Sequence, residues 1–330
     1  MNRKGSQLLL IGVAAYISLL FTITTAHGAS MVIGGNYIAI DRMIIVSPNP
    51  GDTPETNGTA LRNILAGITG DQYNPYLVRL GPGDYDIGAS SLQMNSYVNV
   101  EGSGVYVTRI TGNPSSTDYC NAGATIISGV GNSLRSLTVR NIGASGTYAV
   151  GILSPSASHS PRITDVSVEV QSPGAIYNFG IVNCSGSQPE MLNVRVDALD
   201  APGINRGLYN TSGSRPNMTN VHAYARGGLY ADAIRNEDSG MSLRNGTAWG
   251  ESGSLGSYGL SNAASASGPP WISVENSRIA GDTFAIFATS VYGGVSVAYS
   301  EIDGGVSSSG YISCIGAYNH VQVPLNNTCQ

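Results

Sequence analysis

The sequence has 330 residues, a net charge of −5 and only 11% charged side chains, with glycine at 43 positions. A chain so weakly charged is not held open by self-repulsion, and without clustered Lys and Arg it has no electrostatic footprint for nucleic acid. Its length suffices for one elongated domain or two compact ones.

Residues 1–29 read differently from the rest: Arg3 and Lys4, an apolar run from Leu8 through Ile23, then small residues around Ala26 to Ala29. That order is that of a secretory signal. The apolar run is also nearly long enough to span a bilayer, so a cleaved signal and a retained anchor both fit. No basic amphipathic segment follows, and no membrane contact is expected beyond the export segment. The expected location is secreted or cell-surface.

Residues 30–75 form the expected N-terminal cap region. Within it "NGTALRNILAGI" places Leu61, Ile64, Leu65 and Ile68 at helical spacing, the pattern of a short amphipathic helix able to cover the first turn of a repeating structure.

From residue 76 to residue 305 short alternating runs such as "ITDVSVEV" and "MLNVRV" are broken by Gly, Pro and Ser, which is the rhythm of strands and turns. Two phrases recur. "VGILS", "FGIVN", "RGLYN", "DAIRN", "YGLSN" and "FAIFA" begin at Val150, Phe179, Arg206, Asp232, Tyr258 and Phe284. A second series places Asn141, Asp165, Asn193, Asn220, Asn245 and Asn276 in one column. Units this small cannot enclose a core alone, so each is expected to stack on its predecessor as one coil of a parallel β-solenoid. Ile181, Leu208, Ile234, Leu260 and Ile286 would then form an inward aliphatic column. Asn183, Asn210, Asn236 and Asn262 would form one ladder of amides and the second series another, and asparagine also tolerates the left-handed backbone that a tight corner needs.

The passage Leu77 to Gly112, "LVRLGPGDYDIGASSLQMNSYVNVEGSGVYVTRITG", resembles the first coils of pectinesterase-like and pectate-lyase-like proteins, in Gly83–Tyr85, "VEGSG" from Val100 and "TRITG" from Thr108. The resemblance implies an all-β fold, a right-handed parallel β-helix with a short N-terminal capping helix. The later coils resemble repeats of secreted bacterial β-helix proteins of undefined activity. The family's catalytic signatures are absent: there is no Gln-Asp pair and no "GRPW", and "DTFAIFAT" from Asp282 is the nearest echo of "DFIFG". No catalytic role carries over.

Export makes the four cysteines candidates for pairing. Cys314 and Cys329 flank the final loop of the tail, residues 306–330, and are the expected bridge. Cys120 and Cys184 remain for a second, with three connectivities open. No spacing resembles a zinc site, and neither metal nor cofactor is expected.

The densest polar group is Asp232, Arg235 and Glu237, with Arg206 one coil earlier in the column of Asp232. Either an acid or base works there on a substrate, or Arg206 and Asp232 simply compensate each other across the stack. The aromatic residues Tyr209, Tyr258, Phe284, Phe287, Trp249 and Trp271 fit either a track for sugar rings or core filling. Tyr209, Arg235 and Phe287 have the opposite strand parity to the aliphatic column and are expected to face solvent as ligand contacts. His159, His222 and His320 share no column and no nearby carboxylate, so no catalytic histidine is expected.

The leading expectation is an exported β-helix whose surface binds polysaccharide or cell-surface glycan, as an adhesive module without a catalytic centre. A polysaccharide lyase, hydrolase or esterase built around Asp232 is the rival. A spacer or tail-fibre-like subunit is the third reading.

Overall fold

The computed structural model describes residues 32–34, 37–40, 42–121, 123–264, 271–289 and 293–330. The segment read as signal or anchor lies outside them. The chain is a right-handed parallel β-helix with a short N-terminal capping helix. Each middle coil supplies one bent strand to a long sheet and one straight strand to a short sheet. Arg162–Gln171 followed by Ala175–Asn183 is an example.

The register of the short sheet follows the repeated phrase. Val150 pairs with Phe179, Phe179 with Arg206, Arg206 with Asp232, Asp232 with Tyr258 and Tyr258 with Phe284, all in parallel. Two residues further along, Ile181, Leu208, Ile234, Leu260 and Ile286 stack with no exposed surface. Beside them, Asn183 Nδ2 donates to Asn210 Oδ1 and Asn210 Nδ2 to Asn236 Oδ1, each at 2.8 Å.

The long sheet bends once per coil at a left-handed residue. Asp165, Asn193, Asn220, Asn245 and Asn276 have φ between 47° and 54°, a conformation that Asn and Asp tolerate better than other side chains. Asn193 Nδ2 also donates to Asp165 Oδ1 at 2.8 Å, and Asn220 Nδ2 to Asn193 Oδ1 at 3.0 Å. Asn141 does not belong to this column. Its strand pairs Arg135 with Thr164 and Leu137 with Val166, so Ser136 takes the bend, with φ 56°. Asn141 pairs instead with Val170, and its buried amide donates to Pro114 O and Val150 O at 2.9 and 3.0 Å.

Winding extends past both limits read from the repeat. Met43–Val46 already pairs in parallel with Tyr76–Leu80. Val306–Ser308 and Tyr311–Ile315 continue the two sheets beyond Gly305. Cys314 is bonded to Cys329 and Cys120 to Cys184, and two disulfides fit an oxidising compartment. Among the described residues no helix is long and apolar enough to cross a membrane.

The helix Pro54–Gly67 starts at Thr53, whose Oγ1 accepts from Thr56 N at 3.3 Å, with Pro54 at its first position. Leu61 and Leu65 are fully buried on the first coil. Asn95 Nδ2 donates to the carbonyls of Leu65 and Ile68, at 2.8 and 2.7 Å, and so satisfies acceptors the helix end leaves free. The approach is close at Gly58, where a Cβ would stand 1.8 Å from Asp86 O. Gly58→Ala gains about 0.5–1 kcal/mol in helix propensity but meets backbone that cannot yield, and overpacking costs about 1–3 kcal/mol. The expected result is a net loss of stability, read as a lower urea midpoint; a midpoint at or above wild type would mean that the helix lies further from the coil.

Candidate functional site

The polar group anticipated around Asp232 assembles on the outer face of the short sheet. Arg206 Nε donates to Asp232 Oδ2 at 3.2 Å, and their side chains are 13% and 4% exposed. Arg206 lies over the rings of Phe179 and Tyr209, 5.2 and 4.4 Å from the centroids, which favours a cation there. Arg235 approaches Glu237 at 3.9 Å and donates to Ser261 Oγ.

Tyr209 points out of the coil, as its parity requires, but it does not face solvent: it is 2% exposed. The chain around Tyr119 lies over it, with ring centroids 5.1 Å apart, and Cys120 is bonded to Cys184 beside it. Tyr209 donates to Glu237 Oε2 at 2.9 Å, and burial raises its pKa well above the ordinary phenol value. Phe287 is half-buried in a stack with Tyr258 and Phe284, at 4.8 and 5.7 Å. The structure therefore brings Arg206, Tyr209, Asp232, Arg235 and Glu237 together in bonded pairs, with Arg206, Tyr209 and Asp232 under cover and Glu237 43% exposed.

An open cleft lies on the long sheet, past the bend. Strands Glu190–Leu199, Asn217–Arg226 and Thr247–Glu251 align Arg195, His222 and Thr247 in one outward column and Asp197, Tyr224 and Trp249 in the next. These side chains enclose about 340 Å³. Trp249 is 43% exposed and its ring lies 5.5 Å from that of Tyr224, tilted by 56°. Arg195 Nε donates to Asp197 Oδ2 at 2.7 Å. That bond is the largest cause of the raised Arg195 pKa, followed by the charge of Asp197 itself. The other oxygen, Asp197 Oδ1, is shielded and accepts no hydrogen bond among the described residues. The cleft thus presents an aromatic platform, a cation fixed by its paired carboxylate, and an exposed imidazole.

Tyr224 donates to Glu251 Oε1, and its pKa is pushed up to about 12 from 10.0, first by burial and then by that bond. Tyr85 is raised as well, by burial. A folded chain that holds these protons above the unfolded value is at full strength below about pH 10 and loses stability as pH climbs through about 12. Thermal midpoints measured from about pH 9 to about pH 12 are expected to fall across that window; a flat profile would mean these phenols titrate as in water.

Sequence reasoning passed over this cleft, although the repeat held the signal. "MLNVRVDA" over "MTNVHAYA" already aligns Arg195 with His222 and Asp197 with Tyr224. His320 does have a carboxylate nearby, its Nδ1 lying 3.4 Å from Asp303 Oδ1, and His222 lines the cleft. Among the described residues no group of three or more His, Cys, Asp or Glu is placed to hold a metal.

No protein-family model matches the chain, and no curated protein matches it either. Solved structures give distant likenesses. Pectin methylesterase PemA from Erwinia chrysanthemi is 11% identical, over 87% of this chain and 92% of that one, with a TM-score of 0.41. YbhC from Escherichia coli is 12% identical over 100% and 94%, with a TM-score of 0.42. ORF18 of Geobacillus virus E2 is 12% identical over 96% and 64%, with a TM-score of 0.45. The fold rests on the strand pairings of this chain and not on these likenesses.

Proposed function

We propose that this is an exported glycan-binding protein that holds a polysaccharide or cell-surface glycan in the cleft of Arg195, Asp197, His222, Tyr224 and Trp249. The observation that carries the reading is the half-exposed indole of Trp249 beside Tyr224. An aromatic face offers the apolar side of a sugar ring a partner, while nearby polar groups fix its hydroxyls. Two disulfides and the leader-like N-terminus support export.

The rival reading as a lyase, hydrolase or esterase around Asp232 draws less support, because a carboxylate 4% exposed and paired with Arg206 has little access to a polymer. Asp197 is the better placed group for that rival, since it lines the open cleft. The spacer role predicts no ligand.

A glycan array followed by calorimetry on the best binder tests the proposal. Trp249→Ala is expected to weaken binding about tenfold or more, the scale of a lost aromatic contact, with the thermal midpoint unchanged because the ring is exposed. Equal affinity in wild type and variant would sink the reading.

A further inference from the structure

The corner where the long sheet turns into the short one carries an exposed apolar row. Ile176, Gly203, Leu229 and Leu255 stack there on successive coils: Gly203 N donates to Ile176 O at 3.0 Å, Leu229 N to Gly203 O at 2.7 Å and Leu255 N to Leu229 O at 2.8 Å. Ile176 and Leu229 are close to half exposed, and Leu255 is 61% exposed. Gly203 leaves no gap, because neighbouring side chains lean over it; a Cβ there would stand 3.1 Å from Ile176 Cγ2 and 2.9 Å from Tyr177 Cε1. Beside the row, on the short-sheet side, Tyr177, Ile204 and Tyr230 stack in register. Together they make an apolar ridge about 14 Å long at the usual strand spacing. Contiguous apolar surface of this kind marks an interaction site, as a lone exposed side chain does not.

On the long-sheet side the ridge is bordered by a charged column. Gln171, Leu199, Arg226 and Glu251 pair in succession. Asp200, next to Leu199, accepts from Gln171 Nε2 at 2.9 Å and from Arg226 Nη2 at 3.2 Å. Negative, positive and negative groups thus follow one another, a coil apart, at Asp200, Arg226 and Glu251. An anionic lipid surface would repel the two carboxylates, and a neutral one would have to take the whole column out of water. The border therefore calls for a partner with charges of its own in the complementary order.

We propose that a second copy of this chain docks on the ridge, antiparallel, about a two-fold axis that crosses between the coils of Asp200 and Arg226. The partner must present an apolar row with the same repeat along its length, and the same ridge presents it. With the axis at that height, Ile176 meets Leu255 of the second copy, Asp200 meets Arg226, Gln171 meets Glu251 and the tyrosine columns face each other. Every contact is made twice and no like charges meet. A parallel copy would lay the charged column on the tyrosine column and leave its charges without partners across the contact. The ridge alone falls short of the ~800 Å² that each partner of a stable complex buries, so the bordering columns complete the contact and the pair is weak, with a Kd in the micromolar range. None of these residues lines the Trp249 cleft, and the pairing stands independently of glycan binding.

Sedimentation velocity of the exported protein from about 1 to about 100 μM brackets such an affinity. Wild type is expected to pass from monomer to dimer across that range and Leu229→Glu to stay monomeric, with Leu255→Ser as a second ridge variant should the first not fold. Thermal midpoints in dilute solution, where the chain is monomeric, are expected to stay near that of wild type. Asp200→Arg and Arg226→Asp each set like charges against one another in a pair of identical copies, so each alone is expected to associate at least about tenfold more weakly. An equimolar mixture of the two restores opposite charges at both contacts and is expected to form a mixed dimer. A wild type that is monomeric throughout, a dimer that survives the ridge variants, or a mixture that stays monomeric would overturn the proposal. So would a monomeric wild type that floats with phosphatidylcholine vesicles, which would give the ridge to a lipid surface. Trp249→Ala is expected to dimerise as wild type does, so failure of the glycan reading leaves the dimer standing, and loss of the dimer leaves the glycan reading standing.

Discussion

Ile234→Ala is expected to lower stability by about 2–5 kcal/mol, the range for truncating an enclosed aliphatic side chain. Ile234 sits between Leu208 and Leu260 in the inward column, with no exposed surface. Backbone ladders on both sides fix the spacing of the coils, so neighbours cannot settle into the space left behind. In a stack each coil contacts only its neighbours, and a defect in the middle weakens two interfaces together. A denaturant titration measures the loss. Leu255→Ala is the control: that side chain is 61% exposed, and its removal is expected to change stability by no more than about 0.5 kcal/mol. Equal effects of the two changes would mean that residues in the Ile234 column do not face the core.

The second large effect is expected at Asp232→Ala, at about 3–5 kcal/mol, the usual cost of leaving one member of a buried pair uncompensated. Without the carboxylate, the Arg206 guanidinium stays trapped between the rings of Phe179 and Tyr209 with its main counter-charge gone. The double change Arg206→Met with Asp232→Leu removes both charges and is expected to restore most of the loss, since apolar replacements of buried pairs are often neutral or better. Glycan affinity in the Trp249 cleft, on the other sheet, should not move in either protein. A double variant as unstable as Asp232→Ala would contradict this account of the pair.

The coil register was legible because the repeated residues are those that backbone geometry demands: aliphatics facing in at Ile181, Leu208 and Ile234, and Asn at the bends after Asp165. Asn141 carries the repeated letter at the wrong point of its strand, and a bend needs a residue that tolerates positive φ more than it needs an amide; Ser136 serves. Parity correctly turned Tyr209 outward. It could not show that the segment around Tyr119, tied down by Cys120 and Cys184, comes back to cover it, since that contact is made by a segment outside the repeat. That Trp249 and His222 share one open cleft was not legible for the opposite reason: nothing in a period marks which outward columns stay uncovered.

Incubating the chain with pectin and alginate oligosaccharides, while following bound ligand and released products in one experiment, tests the functional account most directly. Saturable binding without new reducing ends, unsaturated ends or released methanol, and weakened in Trp249→Ala, is the predicted result. Turnover that disappears in Asp197→Asn or Asp232→Asn would contradict it and make the protein an enzyme.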